Sequence, residues 1–286
     1  MIAISANSQM KLYEETCTKC SKLITNRYST SFSLGIRVLA QRFRDPIYAI
    51  YGFVRYADEI VDTFHAYDKS NLLARFRKDT YTAIEEGISL NPVLQAFQQV
   101  VHAYQIEREL IDGFLRSMEM DLQPKLYSDQ LYEDYIYGSA EVVGLMCLRV
   151  FCQGDQVQYE RLKAPAQSLG KAFQKVNFLR DMKSDFQDRG RVYFPGVDYD
   201  RFDNDAKAAI EADILKDFDH ALSGIRQLPI GAKMGVYLAY VYYRKLFDKI
   251  CAASAAEVQE RRLRVPDSGK IALLIKSYFR FQLKAI

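Results

Sequence analysis

Apolar residues recur at spacings of three and four along nearly the whole chain, and the alternation that marks a strand is hardly visible. This pattern predicts an all-α chain, because side chains three and four apart share one helical face. The periodic stretches place helices at about 9–26, 46–65, 68–87, 92–121, 128–152, 155–187, 203–226, 229–253 and 267–284. Asp45-Pro46, Asn91-Pro92, Ala164-Pro165, Leu228-Pro229 and Val265-Pro266 each fit a helix start, a break or the stretch beyond an end. Residues 189–200, R-G-R-V-Y-F-P-G-V-D-Y-D, are the least helical. No Gly/Ser/Pro linker or low-complexity run divides the chain, so 1–286 reads as a single domain.

Composition sharpens this picture. The 286 residues include only 14 Gly and 7 Pro, below the average usage of about 7% and 5%, as long unbroken helices require. With 39 Lys+Arg against 36 Asp+Glu the net charge is +3, too weakly basic to hold a polyanion, so no nucleic-acid partner is expected. Five cysteines, an odd number, read as reduced thiols of a cytoplasmic protein. Cys17-Thr-Lys-Cys20 has metal-like spacing, but a structural zinc site needs four ligands and no second close pair follows. His65, His102 and His220 are scattered and support neither a His-centred metal site nor a Ser-His-Asp triad. The first residues lack a basic start followed by an apolar run, and no apolar stretch is long enough to span a bilayer. Neither an export signal nor a membrane span is expected.

Two acidic stripes stand out. Arg55, Asp58, Glu59 and Asp62 fall at i, i+3, i+4 and i+7, on one helical face, within otherwise apolar surroundings (Ile50, Phe53, Val54, Ala57, Ile60, Val61). Gln174, Asn177, Asp181 and Asp185 fall at i, i+3, i+7 and i+11, with Arg180 beside them. Each stripe stacks two carboxylates one turn apart. A lone D-x3-D is an ordinary solvated helix face. Two of them in largely apolar helices must meet something that compensates their charge. Magnesium does so with oxygen ligands, few carboxylates and substrate phosphate oxygens, so the pair suggests diphosphate chemistry.

The residues around these stripes carry a resemblance. Leu169 to Pro195, L-G-x3-Q-x2-N-F-L-R-D-M-x2-D-x5-R-V-Y-F-P, resembles the long signature of the squalene and phytoene synthase family, the head-to-head prenyl transferases. Tyr135-Ile-Tyr137-Gly-Ser-Ala140-Glu141-Val-Val-Gly144 resembles its second signature, and Asp58 to Asp62 its first acidic motif. Ser29-Thr-Ser31-Phe32-Ser33, Met118-Glu-Met-Asp121-Leu and Arg264-Val-Pro extend the likeness over nearly the whole chain. Three departures are visible: Tyr28 where some relatives carry histidine, Glu141 in place of a small residue, and one residue more between Asp185 and Arg191 than in many members.

The resemblance implies an all-α isoprenoid (terpenoid) synthase helical bundle with a central apolar cavity. In such enzymes one allylic diphosphate ionises and its cation alkylates a second molecule, giving a cyclopropyl diphosphate. A second ionisation and rearrangement yield a linear hydrocarbon. By position, Asp58, Asp62, Asp181 and Asp185 would bind Mg2+, or Mn2+ in its place, with Asn177 assisting and Glu59 a weaker candidate. Arg55, Arg180, Arg191, Arg264, Ser29, Ser31 and Gln174 would hold substrate, arginine because its planar fork contacts two oxygens at once. Tyr137, Tyr193 and Tyr243 match tyrosines that approach diphosphate or cation. Phe32, Phe114, Met118 and Leu145 are candidates for the cavity lining, each read more readily as core.

The motif D-E-I-V-D resembles the D-E-L-V-D of phytoene synthases, which points to two geranylgeranyl diphosphates and phytoene. The alternatives are a dehydrosqualene or squalene synthase using two farnesyl diphosphates, the latter with NADPH, and a non-catalytic scaffold of the same fold. The four motif aspartates weigh against the scaffold. At the C-terminus Lys276, Arg280 and Lys284 form a basic stripe beside Ile271, Leu274, Tyr278 and Phe281. That face is expected either to pack on its own domain or to touch the inner membrane surface. Oligomeric state is left open.

Overall fold

The computed structural model describes residues 6–122 and 128–266, with Gly269, Leu273, Leu274 and Ser277 beyond them. Every regular element among the described residues is helical, as the spacing predicts. In chain order these are α1 (Ala6–Tyr28), α2 (Thr30–Arg37), α3 (Gln41–Asp62), α4 (Lys69–Glu86), α5 (Pro92–Tyr104), α6 (Arg108–Met120) and α7 (Asp129–Ile136). A π-helical turn, Tyr137–Glu141, leads directly into α8 (Val142–Cys152). Then come α9 (Gln156–Arg189), a 3-10 turn (Tyr199–Arg201), α10 (Asn204–Ile225), α11 (Ile230–Cys251) and α12 (Ala255–Glu260).

Local chemistry sets most of the starts. Ser29, Asp68, Asn91, Ser128, Asp155, Asp203 and Ser254 each stand one residue before a helix and accept a first-turn N–H on a side-chain oxygen. Several expected boundaries move. The short helices α2 and α12 are additions. Pro46 and Pro165 lie inside α3 and α9 rather than at a start or break, each giving up one backbone hydrogen bond. The expected helix 92–121 is two helices, parted where Gln105 turns left-handed at φ 51. The expected helix 267–284 lies almost wholly outside the described residues, and so do Lys276, Arg280, Lys284, Ile271, Tyr278 and Phe281.

The long α9 packs against α8, α10, α11, α12 and the π turn, while α3 packs against α1, α5 and α8. The two stripe-bearing helices thus face one another across a space enclosed by α2, α8, α10 and α11. Two signature glycines bring the walls together. A Cβ on Gly170 would stand 2.8 Å from the Ala140 carbonyl oxygen, and one on Gly138 would stand 2.5 Å from that of Gly113. Only glycine lets α9 and α6 approach the π turn this closely. On the far side of α3 an aromatic column fills the core, with Phe53 stacked on Phe97 at 3.9 Å and flanked by Phe76 and Phe114. Phe114 and Leu145, candidates for the cavity wall that read more readily as core, are fully buried core residues. The helix Asp129–Cys152 is long and apolar enough to cross a membrane by length and composition, but 61% of its apolar window is buried inside the fold. Its hydrophobicity serves the core and the cavity wall.

Candidate active site

Two connected cavities occupy the space between α3 and α9. The outer one, about 580 Å3, is a polar cleft lined by Asp58, Asp62, Asp181 and Asp185 together with Arg55, Arg180, Arg191 and Arg262. The inner one, about 370 Å3, is an apolar chamber reaching down to Leu39, Ile47, Phe151, Leu162 and Leu228. Phe32, Tyr51, Val54, Arg55, Asp58, Ser139, Gln174, Asn177 and Tyr243 line both and form the junction. The stripes are therefore brought together in one site.

On the α3 side, Arg55 pairs with Glu59 and lies 3.9 Å from Asp58, with its guanidinium 4.4 Å from the centre of the Tyr28 ring. Its Nε is buried without a hydrogen-bond partner, an arrangement that costs free energy. Glu59 faces Arg55 and does not line the cleft. Burial pushes the Tyr51 hydroxyl up to about 12, so it stays a neutral donor at ordinary pH. Ser29 and Ser31, at the start of α2, complete this wall.

On the α9 side, Asp181 is held by Arg180, whose Nε donates to Oδ1 at 2.9 Å, and by Arg262, whose Nε lies 2.7 Å from the same oxygen. The Tyr243 hydroxyl donates to Asn177 Oδ1 at 3.2 Å while its ring stacks on Phe173 at 3.9 Å. Arg191 is buried beside Asp121 at 2.9 Å and donates to the Tyr193 hydroxyl at 3.2 Å. Burial opposes the Arg191 charge, and Asp121 more than restores it. Asp121 in turn accepts from Tyr135 at 2.9 Å.

The donor set suits a hard divalent cation. Four carboxylates and the Asn177 amide are all oxygen donors. Among the described residues no three His, Cys, Asp or Glu side chains converge on one point. Magnesium fits such a site, since it is bound through one or two carboxylates and completes its shell with water and phosphate.

The model of the squalene/phytoene synthase family matches residues 25–268. The chain belongs to that family. It is thereby an enzyme of the prenyl transferase class. Phytoene synthase 1, chloroplastic, of Solanum lycopersicum is 28% identical over 287 residues, covering 93% of this chain and 68% of that protein. The 4,4'-diapophytoene synthase of Staphylococcus haemolyticus is 28% identical over 214 residues, covering 73% of this chain and 72% of that protein. A dehydrosqualene synthase crystallised with a ligand shares the fold, with a TM-score of 0.78 at 20% identity over 94% of this chain and 98% of that one.

Most squalene/phytoene synthase motif residues reach the cleft: Ser29, Ser31, Arg55, Gln174, Asn177, Arg180, Arg191, Tyr193 and Tyr243 beside the four aspartates. Tyr137 and Arg264 line neither cavity. The Tyr137 ring lies against Gly113, and Arg264 is exposed, its carbonyl accepting from Lys249 Nζ at 3.1 Å. Of the candidates for the lining, Phe32 sits at the junction and Met118 in the polar cleft. Sequence reasoning gave no role to Tyr51, Asp121 or Arg262. Tyr51 was within reach, because it extends the Arg55, Asp58, Asp62 stripe by one turn. Arg262 lies outside any helix and carries no periodic signal.

The departures are absorbed locally. Glu141 is buried, where it accepts from Gln167 at 2.8 Å and pairs with Lys171 at 3.4 Å, tying the π turn to α9. α9 continues to Arg189, and the Arg191 N–H then donates to the Asp185 carbonyl at 2.8 Å, which folds the longer spacing back onto the helix end.

Proposed function

We propose that this chain joins two geranylgeranyl diphosphates head to head, through a cyclopropyl diphosphate, to give phytoene, a step of carotenoid biosynthesis. The observation that carries the donor length is the length of helix that lines the chamber, counted from the junction. Its lining runs from Ser139 to Phe151 on the π turn and α8, from Asp58 to Ile47 on α3, and from Asn177 to Leu162 on α9. At 1.5 Å per helical residue these spans are about 18, 16 and 22 Å. An extended chain advances about 3.3–3.6 Å per three bonds, so the backbone of a twenty-carbon prenyl group reaches about 17 Å and that of a fifteen-carbon group about 13 Å. These spans support the longer donor.

The cleft handles the diphosphate. Arg55, Arg180, Arg191, Ser29, Ser31 and Tyr51 line the cleft and carry donors for the diphosphate oxygens. Asp58 and Asp62 on one wall and Asn177, Asp181 and Asp185 on the other would hold Mg2+, which when bound offsets the charge of the departing diphosphate. Phe32, Tyr51, Phe173 and Tyr243 surround the junction, with Phe32 5.7 Å from Tyr51 and 6.3 Å from Tyr243. Their π faces stabilise an allylic cation there. The apolar chamber below keeps water from it. The enzyme works in the cytoplasm and releases its hydrocarbon to a membrane.

A second reading, two farnesyl diphosphates, is favoured by the likeness to the S. haemolyticus diapophytoene synthase. Purified protein incubated with Mg2+ and either donor, with and without NADPH, followed by hydrocarbon extraction, separates the two. A forty-carbon hydrocarbon from the twenty-carbon donor is expected, formed without reductant. A thirty-carbon hydrocarbon alone replaces the first reading by the second, and no hydrocarbon from either donor overturns both.

A further inference from the structure

Asp181 is held by two guanidinium groups from distant parts of the chain. Arg180, its neighbour on α9, engages both oxygens, Nε with Oδ1 and Nη2 with Oδ2. Arg262, beyond α12, places Nε 2.7 Å from Oδ1 and Nη2 3.4 Å from Oδ2. A carboxylate offers about four acceptor positions; three take hydrogen bonds from these arginines, and Arg262 Nε stands in ion-pair contact with Oδ1 beside the fourth. A cation that takes this carboxylate therefore competes with both arginines.

The two are held differently. The Arg180 side chain is 19% exposed and rises from the middle of a long helix, whereas that of Arg262 is 48% exposed on a segment without regular structure. That segment is fixed through its backbone. Lys183 Nζ donates to the Glu260 carbonyl at 2.9 Å, Lys249 Nζ donates to the Arg264 carbonyl at 3.1 Å, and Val265 is buried. These tethers lie on both sides of Arg262 and leave its side chain as the part that can turn. Because Arg262 lines the cleft, a guanidinium that leaves Asp181 remains beside the diphosphate site.

The geometry points to Arg262 as an exchangeable counter-ion, which neutralises Asp181 when no divalent cation is bound and passes to a diphosphate oxygen when a cation takes the carboxylate. The planar fork suits both partners, since carboxylate and phosphate accept the same paired N–H groups. With Arg262 half exposed, its part of the ion pair can exchange at modest cost. Arg262 therefore opposes a cation that arrives alone and favours one that arrives with diphosphate. The two ligands bind with positive coupling, which is reciprocal by linkage. This assignment rests on the proposed function only in requiring that the cleft take a cation and a diphosphate together.

Calorimetric titration of Mg2+ alone, and of inorganic diphosphate with and without saturating Mg2+, tests it on wild type, Arg262→Gln and Arg262→Lys, with circular dichroism as the folding control. Arg262→Gln is expected to bind Mg2+ alone about fivefold more tightly than wild type or better, and diphosphate in Mg2+ about fivefold more weakly or worse. Arg262→Lys keeps the charge without the fork and should retain part of the coupling. If Arg262→Gln binds Mg2+ alone no more tightly than wild type, or binds diphosphate in Mg2+ equally well, the assignment is overturned and the proposed function stands. A wild type that binds no diphosphate in Mg2+ overturns the proposed function, and this assignment with it.

Discussion

From Asn177 to Asp185, α9 presents amide, guanidinium and carboxylate groups to the cleft; from Leu162 to Phe173 the same helix presents Leu, Pro, Ala, Gly and Phe to the chamber. α3 divides in the same way, with Asp58 and Asp62 above Ile47 and Ile50. The charges of the cleft are matched by adjacent groups, Arg55 with Glu59, Asp181 with Arg180 and Arg262, Arg191 with Asp121. Such pairs exchange partners at small cost where they are partly exposed. The chamber has no partners to exchange. Its shape is set by volume and by backbones brought close at glycines. Changes in the cleft should therefore act on binding and rate, and changes in the chamber on donor length and stability.

The sharpest test of that division is Asp58→Asn. It should lower kcat by about 10²–10³-fold, the scale for losing one preorganised electrostatic contributor, while steady-state kinetics and a melting curve show rate lost and fold kept. A parallel fall in melting temperature would show that the cleft also carries structure. Next comes Cys147→Phe, at mid-depth on the chamber wall. Eight residues below Ser139, or about 12 Å, the new ring stands close to the roughly 13 Å reach of the fifteen-carbon chain and well short of the roughly 17 Å of the longer one, so it should penalise the longer chain more. Competing the two donors should show kcat/KM shifted toward the shorter by about 10–200-fold.

Gly170→Ala probes the wall itself. Its methyl would meet the Ala140 carbonyl at 2.8 Å, and denaturant unfolding should report about 1–3 kcal/mol of lost stability. An unchanged midpoint would mean that α9 and the π turn can part without cost. The smallest effect is expected at the boundary, with Tyr243→Phe. This removes one hydrogen bond to Asn177 and keeps the stack on Phe173, so kcat should fall by no more than about tenfold, the equivalent of about 0.5–1.5 kcal/mol.

The division was only half legible in the sequence. Both stripes could be read because a helical period of 3.6 forces Asp58 over Asp62 and Asp181 over Asp185 whatever surrounds them. The chamber could not, since whether an apolar side chain faces a void or another helix depends on how separate helices are set. Phe32 reached the junction while Phe114 and Leu145 went into the core, although all look alike as apolar positions in helical stretches. The break at Gln105 leaves no mark in the sequence, since neither glycine nor proline stands there. α2 has only eight residues, too few to show a period against its serines. Arg262 could be found only in three dimensions, because the segment that carries it has no repeating geometry.

The π turn at Tyr137–Glu141 holds one residue more than an α-helical turn spanning the same rise would need. It thus places a surplus residue inside an otherwise α-helical rod. Deleting any one residue there should heal the rod from Asp129 to Cys152 into a plain α-helix. Its two halves would then be rotated by about 100° relative to one another, the angle that one helical residue subtends. Tyr135 could no longer face Asp121 while Val143, Gly144 and Cys147 faced the chamber. The surplus residue works as a fixed swivel, letting one rod serve an aqueous surface and an oily one that lie in different directions.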